Sequence, residues 1–269
     1  MSASSRLPIL IAGAGALGGA LIAGWRRGGA IASADMIVRD PQPGREAIAA
    51  AEAGAALNPP DHQLARAKTL LLAVKPQIWR AVAAEIAPHL DREAVVVSVV
   101  AGVGSRDLDM AFEGRRIVRV MPTTAAAIGE GAASVWTSDP QLREEIGALF
   151  APLGAVIDLD VEDLIHVATA ASGSAPAYLY AFIEALEAAA VGAGMDPDSA
   201  ARMVRATITG AAALLRQSGD DPAHLRRAVT SPGGTTAAAL GVLMAEGGFD
   251  VLLARAVAAA VTRSRELGA

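Results

Sequence analysis

Short apolar runs alternate with helical stretches over the first 155 or so residues. That alternation constrains the fold more than any other feature of this 269-residue chain. Leu7 to Ala12 is the first strand-like run, and a helix is expected from Ala16 to Arg27. Strand and helix then recur: Asp35 to Arg39 with Arg45 to Ala53, Leu70 to Val74 with Ile78 to Ala87, and Ala94 to Val100 with Ser105 to Phe112. Arg116 to Met121 reads as a fifth strand. Ser134 to Trp136 and Ala155 to Leu159 read as two more, flanking a helix from Pro140 to Phe150. Apolar strands separated by helices predict a parallel sheet covered on both faces.

After about Asp160 the strand signal stops. Helix is expected over Val161 to Ala193, Pro197 to Gln217, Asp221 to Val229, Thr235 to Ala245 and Phe249 to Glu266. Pro197 and Pro222 sit just inside helix starts, where a missing amide costs nothing. The predicted architecture is α/β: a Rossmann-type parallel-sheet domain over residues 1–160, then an all-α domain over 161–269. The composition is 53% hydrophobic but only 3% aromatic. Ala-rich helical faces with so little aromatic bulk predict that a second copy supplies part of the helical core, making that domain a dimerisation domain.

Composition also narrows the function. A net charge of −5 offers no electrostatic footprint for nucleic acid. No uninterrupted apolar stretch is long enough for a membrane span. The N-terminus lacks a signal-peptide layout and the chain has no Cys, which fits a cytoplasmic protein. The four His are scattered without metal-ligand spacing, so no metal site is expected.

Gly13-Ala14-Gly15-Ala16-Leu17-Gly18 follows the first strand and opens the first helix. The first Gly makes the tight turn, the second lets backbone approach a pyrophosphate, and the third lets helix pack on strand. A bare motif of this form also occurs as a plain glycine-rich turn, but strand-turn-helix context favours dinucleotide binding. The second strand ends in Arg39-Asp40. An acid there suits the ribose 2′-hydroxyl of NAD and an Arg the 2′-phosphate of NADP, so the choice stays open. The cofactor expected is NADPH, with NADH as the alternative. Ala73-Val74-Lys75-Pro76 ends the third strand, Val99-Val100-Ala101 the fourth and Met121 the fifth, all at the carboxyl ends that face a ligand crevice. Each also reads as ordinary strand-to-helix linkage.

The run from Leu225 to Gly241 packs Thr230, Ser231, Thr235 and Thr236 around Pro232, Gly233 and Gly234. Pro and Gly stop one helix there, and the Thr pair is expected to cap the next. Such a turn can hold a small anion through unpaired amides and the helix dipole. It equally reads as a tight helix-helix corner.

Together with Ser98 to Val103, Arg119 to Pro122 and Ser172-Gly173-Ser174-Ala175-Pro176-Ala177-Tyr178, these motifs resemble the pyrroline-5-carboxylate reductase family over nearly the whole chain. The resemblance implies hydride transfer from a nicotinamide to a cyclic imine, giving L-proline as the last step of proline biosynthesis. It implies Thr236 as partner of the imine nitrogen. Ser231 and the amides of Gly233, Gly234 and Thr235 would hold the substrate carboxylate. It further implies a homodimer through the helical domain, with dimers often joined into a decamer. The chain departs from the family pattern at Thr123, where Asn is usual, and at Ala175, where Gly or Ser is usual.

Two other readings remain. One is a related cyclic-imine or β-hydroxyacid-type reductase, although no Lys follows Lys75 to serve as a helical-domain catalytic Lys. The other is a non-catalytic dinucleotide-binding redox sensor.

Overall fold

A computed structural model describes residues 3–268. The chain forms two compact units, one of Met1–Gly173 with Ala260–Ala269 and one of Ser174–Ala259. The division falls later than the expected 160/161 boundary, and the C-terminal residues return to the first unit.

The first unit alternates as its sequence requires: β1 (Ile9–Ala12), α1 (Ala16–Arg27), β2 (Met36–Arg39), α2 (Arg45–Glu52), β3 (Ala56–Leu57), β4 (Thr69–Leu72), α3 (Trp79–Ile86), β5 (Val95–Ser98), α4 (Ser105–Ala111) and β6 (Ile117–Pro122). β7 (Gly131–Trp136), α5 (Pro140–Phe150), β8 (Gly154–Asp158) and α6 (Leu164–Ala168) complete it. β1 starts at Ile9 rather than Leu7 because Pro8 has no amide to give a ladder. β3, only two residues long, had no readable sequence signal.

The sheet order is β3-β2-β1-β4-β5-β6-β7-β8. β1 to β6 run parallel, but β7 is antiparallel to β6 and β8 is parallel to β7. The expected parallel sheet is therefore observed, with one antiparallel pairing at this edge. A parallel crossover needs a dozen or more residues. The β6–β7 link carries only a short 3-10 helix, Thr124–Ile128, so the chain must turn back.

Successive strand residues point to opposite faces. Ile9 and Ile11 join one buried cluster with Val38, Leu71, Val97 and the α1 residues Leu21, Ile22 and Trp25. Leu10 and Ala12 join a second with Ile37, Leu70, Leu72, Val96 and the α3 residues Trp79, Ala83 and Ile86. Trp25 meets Phe150 edge-on at 5.8 Å and donates to the Leu149 carbonyl at 2.7 Å, which satisfies its indole where it is buried.

The second unit holds α7 (Ala175–Gly192), α8 (Pro197–Ser218), α9 (Pro222–Ala228), α10 (Thr235–Leu243) and the start of α11 (Phe249–Glu266). The single helix expected over Val161 to Ala193 is divided: α6, a π-helical turn at Thr169–Gly173, then α7. Gly173 lies so close to Met121 that an added Cβ would stand 3.0 Å from its sulfur. Pro176 sits in the first turn of α7, where its missing amide costs nothing. Of residues 174–259 only Ala200 and Val204 are buried, and Leu179, Leu214, Val242 and Leu252 are exposed. Among the described residues no helix is long and apolar enough to cross a membrane.

Candidate active site

Strand order reverses between β1 and β4, so their carboxyl ends diverge and leave a crevice. A cleft of about 770 Å³ opens there, lined by Gly13, Gly15, Arg39, Asp40, Ala73, Val74, Lys75 and Glu85 among others. Each glycine of the turn has a separate physical reason. Gly13 adopts φ +94°, and a Cβ would stand 2.6 Å from the Ala73 carbonyl oxygen. At Gly18 a Cβ would come within 2.1 Å of the Gly13 carbonyl oxygen, so only glycine lets α1 start this close. Gly15 caps α1 without a side-chain bond, and a Cβ there would meet no protein atom within 4 Å. This open space beside the unpaired first-turn amides is the cradle a pyrophosphate requires. Ala14, Ala16, Leu17 and Gly18 complete the turn without lining the cleft.

The end of β2 is more elaborate than its sequence suggests. The Asp40 carboxylate accepts the Ala14 amide at 2.6 Å and the Gln42 amide at 2.8 Å. The Asn58 side chain clamps the Asp40 backbone, donating to its carbonyl at 2.8 Å and accepting its amide at 3.0 Å. Arg39 donates to Asp61 at 2.7 Å, to Glu85 at 2.9 Å and to the Pro59 carbonyl at 2.8 Å. Asn58, Asp61 and Glu85 escaped the sequence reading because they reach β2 from 18 to 46 residues away.

Lys75 is exposed at the cleft, and Pro76 follows it half-buried. Val99 and Val100 are buried in the two opposite core clusters, so only their backbone is available to a ligand. Met121 is buried with Leu159, Ile165 and Ala168, and Ala101 packs against it. Thr123 is buried, and its hydroxyl accepts the Ala132 amide at 3.1 Å. That bond ties the side chain to the start of β7, with the hydroxyl's own proton still a donor.

The other predicted residues gather at one turn of the second unit. Gly233 adopts φ +69°, and Gly234 is the N-cap of α10. The expected Thr capping is not observed: Thr235 is the first helical residue, and no side chain caps the helix. The Gly234 amide donates to the Ser231 carbonyl at 3.1 Å, so it is already committed. The amides of Gly233 and Thr235 have no hydrogen-bond partner among the described residues. Ser231 is exposed and Thr236 half-buried. A Cβ at Gly234 would meet the Ser231 hydroxyl at 2.4 Å, so any larger residue there would turn that hydroxyl away.

A polar network beside the carboxyl end of the sheet had no sequence signal. Buried Arg119 pairs with Glu162 at 2.8 Å. Glu162 also accepts the Ser105 amide and hydroxyl, each at 2.6 Å. His166 Nδ1 meets the Ser264 hydroxyl at 2.9 Å, and Arg265 pairs with Asp163 at 2.7 Å. Gly102, at φ +84°, lets this C-terminal segment approach: a Cβ would lie 2.6 Å from the Ser264 carbonyl.

A reversed-order parallel sheet, a glycine turn at a helix N-terminus and a cleft at the switch point define a dinucleotide-binding oxidoreductase of the Rossmann class. Residues 8–102 match the family model for NADP oxidoreductase, coenzyme F420-dependent, and residues 162–267 match that for pyrroline-5-carboxylate reductase dimerisation. The chain is 36% identical to the pyrroline-5-carboxylate reductase of Pisum sativum over 95% of its length and 94% of the relative's. The solved Coxiella burnetii pyrroline-5-carboxylate reductase superposes with a TM-score of 0.87 at 28% identity, covering 98% of this chain and 99% of that one. A Plasmodium falciparum pyrroline carboxylate reductase solved with NADP bound gives 0.84 at 26% identity, covering 98% and 99%. The chain belongs to the pyrroline-5-carboxylate reductase family.

Proposed function

We propose that this chain reduces L-1-pyrroline-5-carboxylate to L-proline, the last step of proline biosynthesis, drawing on NADPH or NADH. The observation that carries the reading is the 36% identity to the Pisum sativum reductase, maintained over 95% of the chain. The NADP bound in the Plasmodium falciparum relative supports NADPH as a usable reductant.

A reduced nicotinamide supplies the hydride that the imine carbon must receive. The chain's own residues bind and orient. The turn from Gly13 to Gly18 cradles the pyrophosphate, with Ala73, Val74, Lys75 and Pro76 beside it. Backbone at Val99, Val100 and Ala101, with Met121, walls the nicotinamide end. Ser231 and the free amides of Gly233 and Thr235 hold the substrate carboxylate through charge-assisted bonds. Gly234 contributes the shape of that turn, since its own amide is committed to Ser231. The Thr236 hydroxyl bonds the ring nitrogen and orients it. A Thr hydroxyl is a poor acid, so the nitrogen's proton arrives with the iminium form or from water.

Two copies associate through the helical segment, and dimers join into a decamer. The support for the first step is that residues 174–259 bury only Ala200 and Val204, far too little for an isolated core. The same reading puts the enzyme in the cytoplasm, with its reductant pool.

The test is loss of NADPH or NADH absorbance with L-1-pyrroline-5-carboxylate, run in parallel with the six-membered analogue. Turnover of the five-membered ring is expected. Thr236→Ala should lower kcat/KM about 100-fold while dinucleotide still binds. Dinucleotide binding without turnover of either ring would sink the proposal and leave the redox sensor.

A further inference from the structure

The rim of the dinucleotide cleft carries a charge arrangement that the reductase reading does not use. Asp40 is fixed at the carboxyl end of β2 by the Ala14 and Gln42 amides, with its backbone clamped by Asn58. This is where a dinucleotide with its pyrophosphate on α1 brings its adenosine ribose. Two amide bonds leave lone pairs on the carboxylate for a 2′-hydroxyl, since an ionised carboxylate has about four acceptor sites. A 2′-phosphate there would instead add about two negative charges facing Asp40.

Arg39 is the adjacent cation that could offset those charges. Its guanidinium is already held by Asp61 at 2.7 Å, Glu85 at 2.9 Å and the Pro59 carbonyl at 2.8 Å. The rim thus gathers three carboxylates, Asp40, Asp61 and Glu85, around Arg39, with Lys75 lining the same cleft and His89 3.7 Å from Asp61. To serve a 2′-phosphate, Arg39 would have to leave two acids that compete for it.

We infer that Asp40, with Asp61 and Glu85 holding Arg39, ranks the two reductants: NADH is the better one and NADPH a usable but poorer one. The turnover side of this inference rests on the reductase reading; the binding side does not. Glu85 and Asp61 thereby become specificity-determining residues although neither needs to touch the ribose.

Titration calorimetry with NAD+ and NADP+, and with the fragments 5′-AMP and 2′,5′-ADP, tests the ranking without any turnover. The unsubstituted chain should bind NAD+ about tenfold more tightly than NADP+, with the fragments in the same order. Asp40→Asn removes the charge and should bring the two dinucleotides close to parity. Glu85 is exposed, so Glu85→Gln should fold normally and tighten NADP+ several-fold relative to NAD+. NADP+ binding as tightly as NAD+ in the unsubstituted chain would overturn the inference, as would a ratio unmoved by both substitutions. If the ranking holds in binding but no imine is reduced, the inference stands and the reductase reading falls.

Discussion

Arg119 on β6 donates to Glu162, ahead of α6, at 2.8 Å, and its side chain is only 3% exposed. The pair ties the central sheet to the segment that leads into the helices, and Ser105 at the start of α4 shares the same carboxylate. Removing one partner strands a buried charge, which is costlier than removing both. Glu162→Ala is expected to cost about 3 kcal/mol of unfolding free energy in urea, whereas Arg119→Met with Glu162→Leu should recover most of it. Equal losses for the single and double variants would show that the pair contributes only packing.

The same carboxylate gives an acid dependence. Burial alone would push the Glu162 carboxyl up, but Ser105 and Arg119 bring it below the usual carboxylate value of 4.5. A group depressed by folding contributes stability above its unfolded pKa and loses it as pH falls through the folded one. Stability should therefore drop below pH 4.5 in the unsubstituted chain and drop less steeply in Glu162→Gln. Urea unfolding across that range reads the difference.

His166 acts at higher pH. Burial and then Arg119 lower its pKa from 6.5, with Arg265 adding to the effect and Asp163 and Glu162 opposing it. The neutral ring is the folded form, so its contribution is complete above pH 6.5 and declines as pH falls toward the lower folded value. The melting temperature of the unsubstituted chain should fall on acidification from pH 6.5, and that of His166→Gln should fall less. Parallel curves would remove His166 from the account.

Much of this fold could be read before any coordinates. Unbroken apolar runs such as Leu70 to Leu72 announced a sheet buried on both faces, and the glycine turn announced the tight strand-to-helix link at the mouth of the cleft. The reversal of β7 was not legible, because the strand signal begins only at Ser134, far enough past Met121 for a crossover, whereas the strand itself starts at Gly131. The partners of Arg39 and Asp40 were not, because Asn58, Asp61 and Glu85 meet β2 only through tertiary folding. The break between α6 and α7 falls at a π-helical turn just before Pro176, a helix-start signal that the sequence did carry. The misassigned Thr cap has a local cause: Gly234 lets the backbone enter α10 one residue before the hydroxyls.

Gly13 and Gly15 should separate folding from binding. Gly13→Ala forces a side chain to φ +94° against the Ala73 carbonyl, so it should cost about 2 kcal/mol as well as dinucleotide affinity. Gly15→Ala meets no protein atom and should melt like the unsubstituted chain. Its methyl would nevertheless occupy the pyrophosphate cradle, raising the Kd at least about tenfold. Unchanged affinity in Gly15→Ala would move the pyrophosphate elsewhere.

The sparse burial of the helical unit makes a prediction about concentration. If a second copy completes its core, melting should shift upward with protein concentration, by several degrees over about a hundredfold range. A concentration-independent Tm from a species sedimenting as a monomer would contradict the dimer.

Because α11 begins in one unit and ends in the other, the helical segment is not a C-terminal appendage but an excursion with two seams, at 173/174 and 259/260. Exchange of substrate specificity between relatives by domain grafting must therefore move residues 174–259 as a cassette. A single crossover near residue 160 would give each chimera a terminal segment, Ser264 and Arg265 included, bred for another parent's His166 and Asp163.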